Sequence, residues 1–199
     1  MKAWVAAGGT LVGLGSGTVS FLADPKTGML AISRENAVKK GKEGKPSAPK
    51  KPAPVSNRVP GKLITSEEEF QRAIDAESTP PDSVSGVLVK ARVDRDHWVT
   101  AGVGKSVNAI VRGSSIFSPI KIDRGVNAAY FEGPDKLLAS GYLWEENRKQ
   151  LAYKPFVVVQ RTGRGNVIGF TADPTIRAYV DGLNILFLNS IFRGAAHAR

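Results

Sequence analysis

The chain has 199 residues, 42% of them hydrophobic, enough for one globular domain or slightly more. It holds no cysteine, which excludes disulfides, thiolate metal sites and a cysteine nucleophile and leaves the compartment open. The formal charge of +10 is local: from Lys39 to Lys62 eight Lys or Arg face one acid, Glu43, so +7 lies there and +3 in all the rest. That is the pattern of a solvated linker more than of a charged, phosphate-binding face.

Met1 to Asp24 has two readings. A secretory signal would need an unbroken apolar core, but Gly8, Gly9, Gly13, Gly15 and Gly17 interrupt it and only Lys2 supplies early charge. The favoured reading is an α/β unit: a helix stub from Lys2 ended by Gly8-Gly9, a strand from Thr10 to Leu14, a turn at Gly15-Ser16-Gly17, and a helix opened by Thr18 to Leu22. A helix stub and strand at this point imply neighbouring strands earlier in a larger protein, and hence a truncated domain. The strand edge left open would then template association, so the chain is expected to be poorly soluble or oligomeric.

Gly28 to Ser33 reads as a short strand. Residues 38–62, rich in Lys and Pro, read as a disordered insertion or linker between residues 1–37 and residues 63–199 of one α/β domain. Thr65 or Ser66 caps a helix with Glu67, Glu68 and Glu69 in its first turn and Phe70, Ala73 and Ile74 on its apolar face, stopped by Pro80-Pro81. Strands follow at Val87 to Val93 and Val107 to Val111, with further strand candidates at Ile116 to Ile122 and Asn127 to Phe131. A helical segment is read around Glu145 and Glu146. Phe156 to Gln160 and Asn166 to Phe170 form a hairpin whose turn takes positive φ from Gly163 and Gly165. Asp173 as N-cap and Pro174 at the first helical position open a long helix. Ile176, Tyr179, Val180, Leu183, Phe187 and Ile191 line its apolar side, and Gly194 ends it.

Several chemistries can be weighed from these residues. Gly104-Lys105-Ser106 imitates a phosphate loop, but Val99 stands where its first glycine should be and a strand follows. Thr18 breaks a dinucleotide fingerprint at Gly13-Leu14-Gly15-Ser16-Gly17. His97 in Asp94-Arg95-Asp96-His97-Trp98 is a candidate base, and Ser16 the candidate nucleophile to go with it. Trp98, Tyr142 and Trp144 are candidates for a binding surface, with core or rim packing as the blander role.

The order of four pieces carries a resemblance: Ala6-Ala7-Gly8-Gly9-Thr10-Leu11-Val12, Asp96-His97-Trp98, Ser140-Gly141-Tyr142-Leu143, and the block from Gly163 through Phe170-Thr171-Ala172-Asp173-Pro174, Arg177, Gly182 and Asn184 to Asn189. Together they resemble the class I glutamine amidotransferase-like accessory domain that follows the catalytic domain in some bacterial zinc carboxypeptidases of the carboxypeptidase A type. The resemblance implies a partial, truncated amidotransferase-like three-layer α/β sheet fold ending in a hairpin and a long helix. In amidotransferases of that class a nucleophile sits in Gly-x-Cys-x-Gly on a sharp strand-to-helix turn. Here, between Gly13 and Gly17, that position is Gly15, so the implied role is non-catalytic. The family's zinc is held by His-x-x-Glu and a later His in the peptidase domain. Three residues after His97 stands Thr100, and His197, in the final residues, is expected to be frayed, so the site is not encoded here.

The resemblance therefore implies no cofactor in this chain, a peptidase catalytic domain as partner, in cis or as a separate chain, and a periplasmic or secreted location. The alternatives are a free-standing hydrolase-like enzyme using Ser16 and His97, and a basic interaction protein acting through residues 39–62. No apolar run of about 20 residues indicates a membrane span.

Overall fold

The computed structural model describes residues 1–38, 63–74, 79–176 and 180–198; the basic segment from residue 39 to 62, Arg177 and Tyr179 lie outside them. Residues 1–37 and 80–199 form one compact unit and residues 38–79 a second. In the first, α1 (Lys2–Ala6), β1 (Thr10–Leu14) and α2 (Gly15–Ala23) are followed by β2 (Val84–Val93), β3 (Ser106–Gly113) and β4 (Val126–Phe131). Then come α4 (Pro134–Leu137), β5 (Leu138–Ser140), α5 (Glu145–Leu151), β6 (Pro155–Thr162), β7 (Gly165–Phe170) and α6 (Asn184–Ala196). The protein is α/β, with seven strands in one open sheet of order β1-β7-β6-β4-β2-β3, β5 also pairing with β2. Among the described strands β1 and β7 run parallel and the other pairs are antiparallel.

Burial follows the strand sequences. Phe156, Val157, Val158 and Val159 of β6 and all of β7 are buried, because both faces of the sheet are covered there. Val158 and Val167 join Val5 of α1 and Val19 and Leu22 of α2 in one core. Val157, Val159, Ile168 and Phe170 join Leu183 and Leu186 in the other. At β2 the pattern changes to alternation, with Val87, Val89, Ala91 and Val93 buried and Lys90 and Arg92 exposed, as a one-sided sheet requires.

Several expectations need correction. Gly28 to Ser33 is no strand: the amides of Met29 and Leu30 both donate to the Leu22 carbonyl, and Ala31 N–H donates to the Gln160 side chain. Met29, Leu30 and Ile32 are buried all the same, in an irregular segment with a bend at Leu30 and Ala31. Ile116 to Ile122 is likewise no strand and makes a single bridge, Phe117 to Arg34. Apolar side chains alone do not make a ladder where the backbone finds other partners.

The hairpin turn is set by Gly163, whose φ is +59°; Gly165 has no positive φ. Its need for glycine is steric instead, since a Cβ there would stand 2.1 Å from the carbonyl oxygens of Gly9 and Val5. The Asp173 carboxylate accepts the Thr175 amide and hydroxyl, both at 2.8 Å, as an N-cap does, and a 3-10 turn starts at Ile176; residues 177–179, which would continue it, lie outside the described ones. The helix α6 begins at Asn184 after a 3-10 turn at Asp181–Leu183. Gly194 does not end it but lies buried within it, where a Cβ would meet Thr10 Cγ2 at 2.7 Å. Leu186, Ser190 and Gly194, four apart, form the buried stripe, while Ile191, expected inside, is exposed with Ile185, Leu188 and Phe192.

The described helix of the second unit is α3 (Glu67–Ile74). Ser66 Oγ accepts the Glu69 amide at 3.2 Å, and Glu69 Oε2 reaches back to the Thr65 amide and hydroxyl, both at 2.9 Å. This is the expected capping box with the return bond one residue earlier.

Candidate functional site

Two parallel strands that end side by side leave a crevice beyond their carboxyl ends. Here β1 and β7 do so, and α2 starts immediately after Leu14. Gly15 takes φ +78° at the switch from strand to helix. Gly13 lets α2 close on the strand, since a Cβ there would come within 2.6 Å of Leu22 Cδ1 and 3.2 Å of Thr18 Cγ2. The turn is tighter than the sequence suggests, for Gly15, Ser16 and Gly17 are already the first turn of α2.

A cavity of about 210 Å3 opens in front of this turn. Its polar wall is Ser16, Arg112, Ser115, Thr171 and Asp173, and its apolar wall includes Val111, Phe131 and Leu151. β3 stands at the far edge of the sheet, so Arg112 arrives only because the sheet brings its two edge strands to one cavity. Thr171 is committed to the fold: its hydroxyl donates to the Pro155 carbonyl at 2.8 Å. Asp173 is held by Thr175. Beside the Asp173 carboxylate stand an exposed guanidinium, two serine hydroxyls and the first amides of α2, a set able to hold a small polar group with both donors and acceptors. Histidine is absent from the cavity lining, so no imidazole base faces Ser16 across it.

Strand directions explain why. Ser16 follows the carboxyl end of β1, while His97 follows the carboxyl end of β2, which runs opposite to β4, as β4 does to β6 and β6 to β7. β2 is therefore antiparallel to β1, and Ser16 and His97 sit at opposite ends of the sheet. The candidate pair is not brought together.

His97 belongs to a loop docked on α6. Its Nδ1 accepts the Val99 amide at 3.2 Å. Thr100 Oγ1 donates to the His97 carbonyl at 2.7 Å and also to that of Asp94. Asn189 Nδ2 donates to Val99 O at 3.0 Å and Ala101 O at 2.8 Å. His197 is not frayed as expected: its ring stacks on Trp98 with centroids 4.9 Å apart. These contacts give the Asp-Arg-Asp-His-Trp segment a fold-building role.

Burial holds the His97 pKa below its ordinary 6.5; Asp94 opposes the shift and His197 adds to it. Between the lowered value and 6.5 the unfolded chain binds a proton that the folded chain does not. Stability therefore rises with pH through that window and declines as pH drops below 6.5. Going from about pH 7.5 to about pH 5.5 is therefore expected to lower stability through this group. His97→Asn, which keeps a capping acceptor without a titrating ring, should flatten the pH dependence of the thermal midpoint. Identical slopes in both proteins would show that His97 does not carry the effect.

Among the described residues no three His, Cys, Asp or Glu side chains group in a way that would hold a metal ion. Ser106 opens β3, so Gly104-Lys105-Ser106 leads into a strand and not a helix. Tyr142 and Trp144 meet edge to face on the surface. None of the described helices is long and apolar enough to cross a membrane. Sequence reading missed Arg112 and Ser115, which carry no motif and reach the cavity only through the course of the sheet. No family model, curated protein or solved structure matches this chain.

Proposed function

We propose that this chain is a non-catalytic accessory module of a zinc carboxypeptidase-like protein, with a partial amidotransferase-like fold. The observation that carries the reading is the tip of the β1–α2 turn. A sharp strand-to-helix turn at the carboxyl end of a parallel strand is where hydrolases of this architecture hold a nucleophile. Gly15 occupies the tip with φ +78° and offers no side chain. The turn is thus shaped for a site, but its tip offers no attacking group. Its role is to pack against, stabilise or orient a catalytic domain that holds the zinc.

The test has two parts. The purified chain, supplied with zinc, is expected to release no C-terminal residue from short acyl-dipeptides above background, and Ser16→Ala to leave that result unchanged. Zinc-dependent turnover would overturn the reading. The coding DNA read in frame upstream of the Met1 codon is expected to encode His-x-x-Glu, a later His and a Glu base. A stop codon directly before Met1 would remove the in-cis form. The separate-chain form would then require capture of such a peptidase by the tagged chain, and its absence would end the proposal.

A further inference from the structure

The cavity in front of the β1–α2 turn has two charged residues in its lining, Arg112 and Asp173, of opposite sign. They do not satisfy each other. No ion pair joins them, and the Arg112 guanidinium has no hydrogen-bond or ion-pair partner among the described residues. Asp173 commits one oxygen, Oδ1, to the Thr175 amide and hydroxyl; its Oδ2 accepts no hydrogen bond among the described residues. The hydroxyls of Ser16 and Ser115, in the same lining, are likewise unpartnered among them. A Cβ on Gly15 would lie 3.9 Å from that of Asp173, so the carboxylate's residue stands at the tip of the turn. The guanidinium arrives from β3, at the other edge of the sheet.

Volume sets the size of an occupant. About 210 Å3 is less than the roughly 300–1,000 Å3 of pockets that take drug-sized ligands, so one small metabolite fits and a peptide does not. Charge sets its kind. A simple anion drawn to Arg112 would also face Asp173, and a simple cation drawn to Asp173 would face Arg112; like charges brought together oppose binding. A molecule that is neutral overall and carries both charges satisfies the pair. The planar guanidinium suits a carboxylate, which it can take with two parallel N–H donors. Asp173 Oδ2 and the serine oxygens suit a primary ammonium, which has three N–H groups to donate. The rest of the wall includes the buried Val111, Phe131 and Leu151, whose side chains offer no hydrogen bond.

We infer that this cavity binds a single free α-amino acid with an apolar side chain, its carboxylate on Arg112, its ammonium on Asp173 and its side chain against Val111, Phe131 and Leu151. Gly15 brings no side chain to the tip of the turn, so the ligand is held there and not attacked. This role stands on the cavity alone. Failure of the accessory-module reading would leave it intact, and its own failure would leave that reading intact.

The probe is L-leucine, titrated into the full chain by calorimetry, with amide NMR spectra to locate it. Saturable one-to-one binding is expected, with shifted amides at Ser16, Arg112 and Ser115. N-acetyl-leucine, which lacks the ammonium, and leucinamide, which lacks the carboxylate, are each expected to bind about tenfold more weakly or worse. L-glutamine, which sets a carboxamide against the apolar wall, is expected to bind more weakly than leucine. Arg112→Gln, at an exposed side chain, should lower the affinity for leucine about tenfold and leave that for leucinamide nearly unchanged. Asp173→Asn, whose amide oxygen still accepts from Thr175, should lower the affinity for leucine and leave that for N-acetyl-leucine nearly unchanged. Should Asp173→Asn fail to fold, Arg112→Gln and the two capped analogues carry the test. No saturable binding of leucine up to about 10 mM, unchanged affinity in Arg112→Gln, a capped analogue as tight as leucine, or glutamine tighter than leucine would each overturn the proposal.

Discussion

Replacing Gly165 by alanine is expected to cost more than about 3 kcal/mol and to leave little cooperatively folded protein. Gly165 opens β7 where the end of α1 crosses it. The added methyl would stand 2.1 Å from two carbonyl oxygens, those of Val5 and Gly9, and 3.0 Å from the Gly9 amide. All three are main-chain atoms, so no side-chain rotation relieves the overlap. The backbone itself would have to part, breaking the Asn166-to-Gly9 bond and the start of the β1–β7 register. Gly17→Ala is the matched control. Nothing lies within 4 Å of its Cβ position, and the residue is in α2. It should be neutral or stabilise by about 0.5–1 kcal/mol. Urea titrations of the two variants settle the matter: comparable midpoints would mean that α1 does not lie against β7 as described.

Phe156→Ala should lose about 3–5 kcal/mol. Phe156 is fully buried on β6, flanked by β4 and β7. Its ring lies 5.9 Å from that of Phe131 and meets that of Phe170 edge-on at 6.2 Å, so truncation opens a cavity and removes two aromatic contacts together. Set against a total domain stability of about 5–15 kcal/mol, this variant is marginal at best. Phe156→Leu should retain most of the stability. A denaturation midpoint for Phe156→Ala within about 1 kcal/mol of wild type would show that this ring is not central to the core.

The strongly patterned parts of the fold were legible in the sequence. The β6–β7 hairpin, β1, β2, β3, β4, α5 and the capped α3 each announce themselves by apolar run, alternation or cap. What misled was the assumption that a residue type has one role. Gly194 and Gly165 suit an end and a turn, yet both are glycine because another chain segment comes close. Asp173 and Pro174 suit a helix start and the carboxylate does take the Thr175 amide, yet the long helix α6 begins only at Asn184. Close approach and strand direction are tertiary facts. For the same reason Ser16 and His97 looked compatible until the antiparallel course of β2 put them at opposite ends of the sheet. The elbow at Gly15 was readable because its glycines are local. Arg112 was not, because its place in the cavity depends on the whole sheet.

The parallel pair also sets an order of assembly. β1 is made before the other described strands and β7 after them, so Thr10 has no partner until Asn166 exists. The antiparallel ladders among β2, β3 and β4 can close earlier, with shorter loops to pay for. Until β6 and β7 are made, α1, β1 and α2 therefore wait with Val5, Leu11, Val19 and Leu22 lacking Val158 and Val167, their partners in the core. The interval between the synthesis of β1 and that of β7 leaves these apolar side chains open to misassembly and to chaperones.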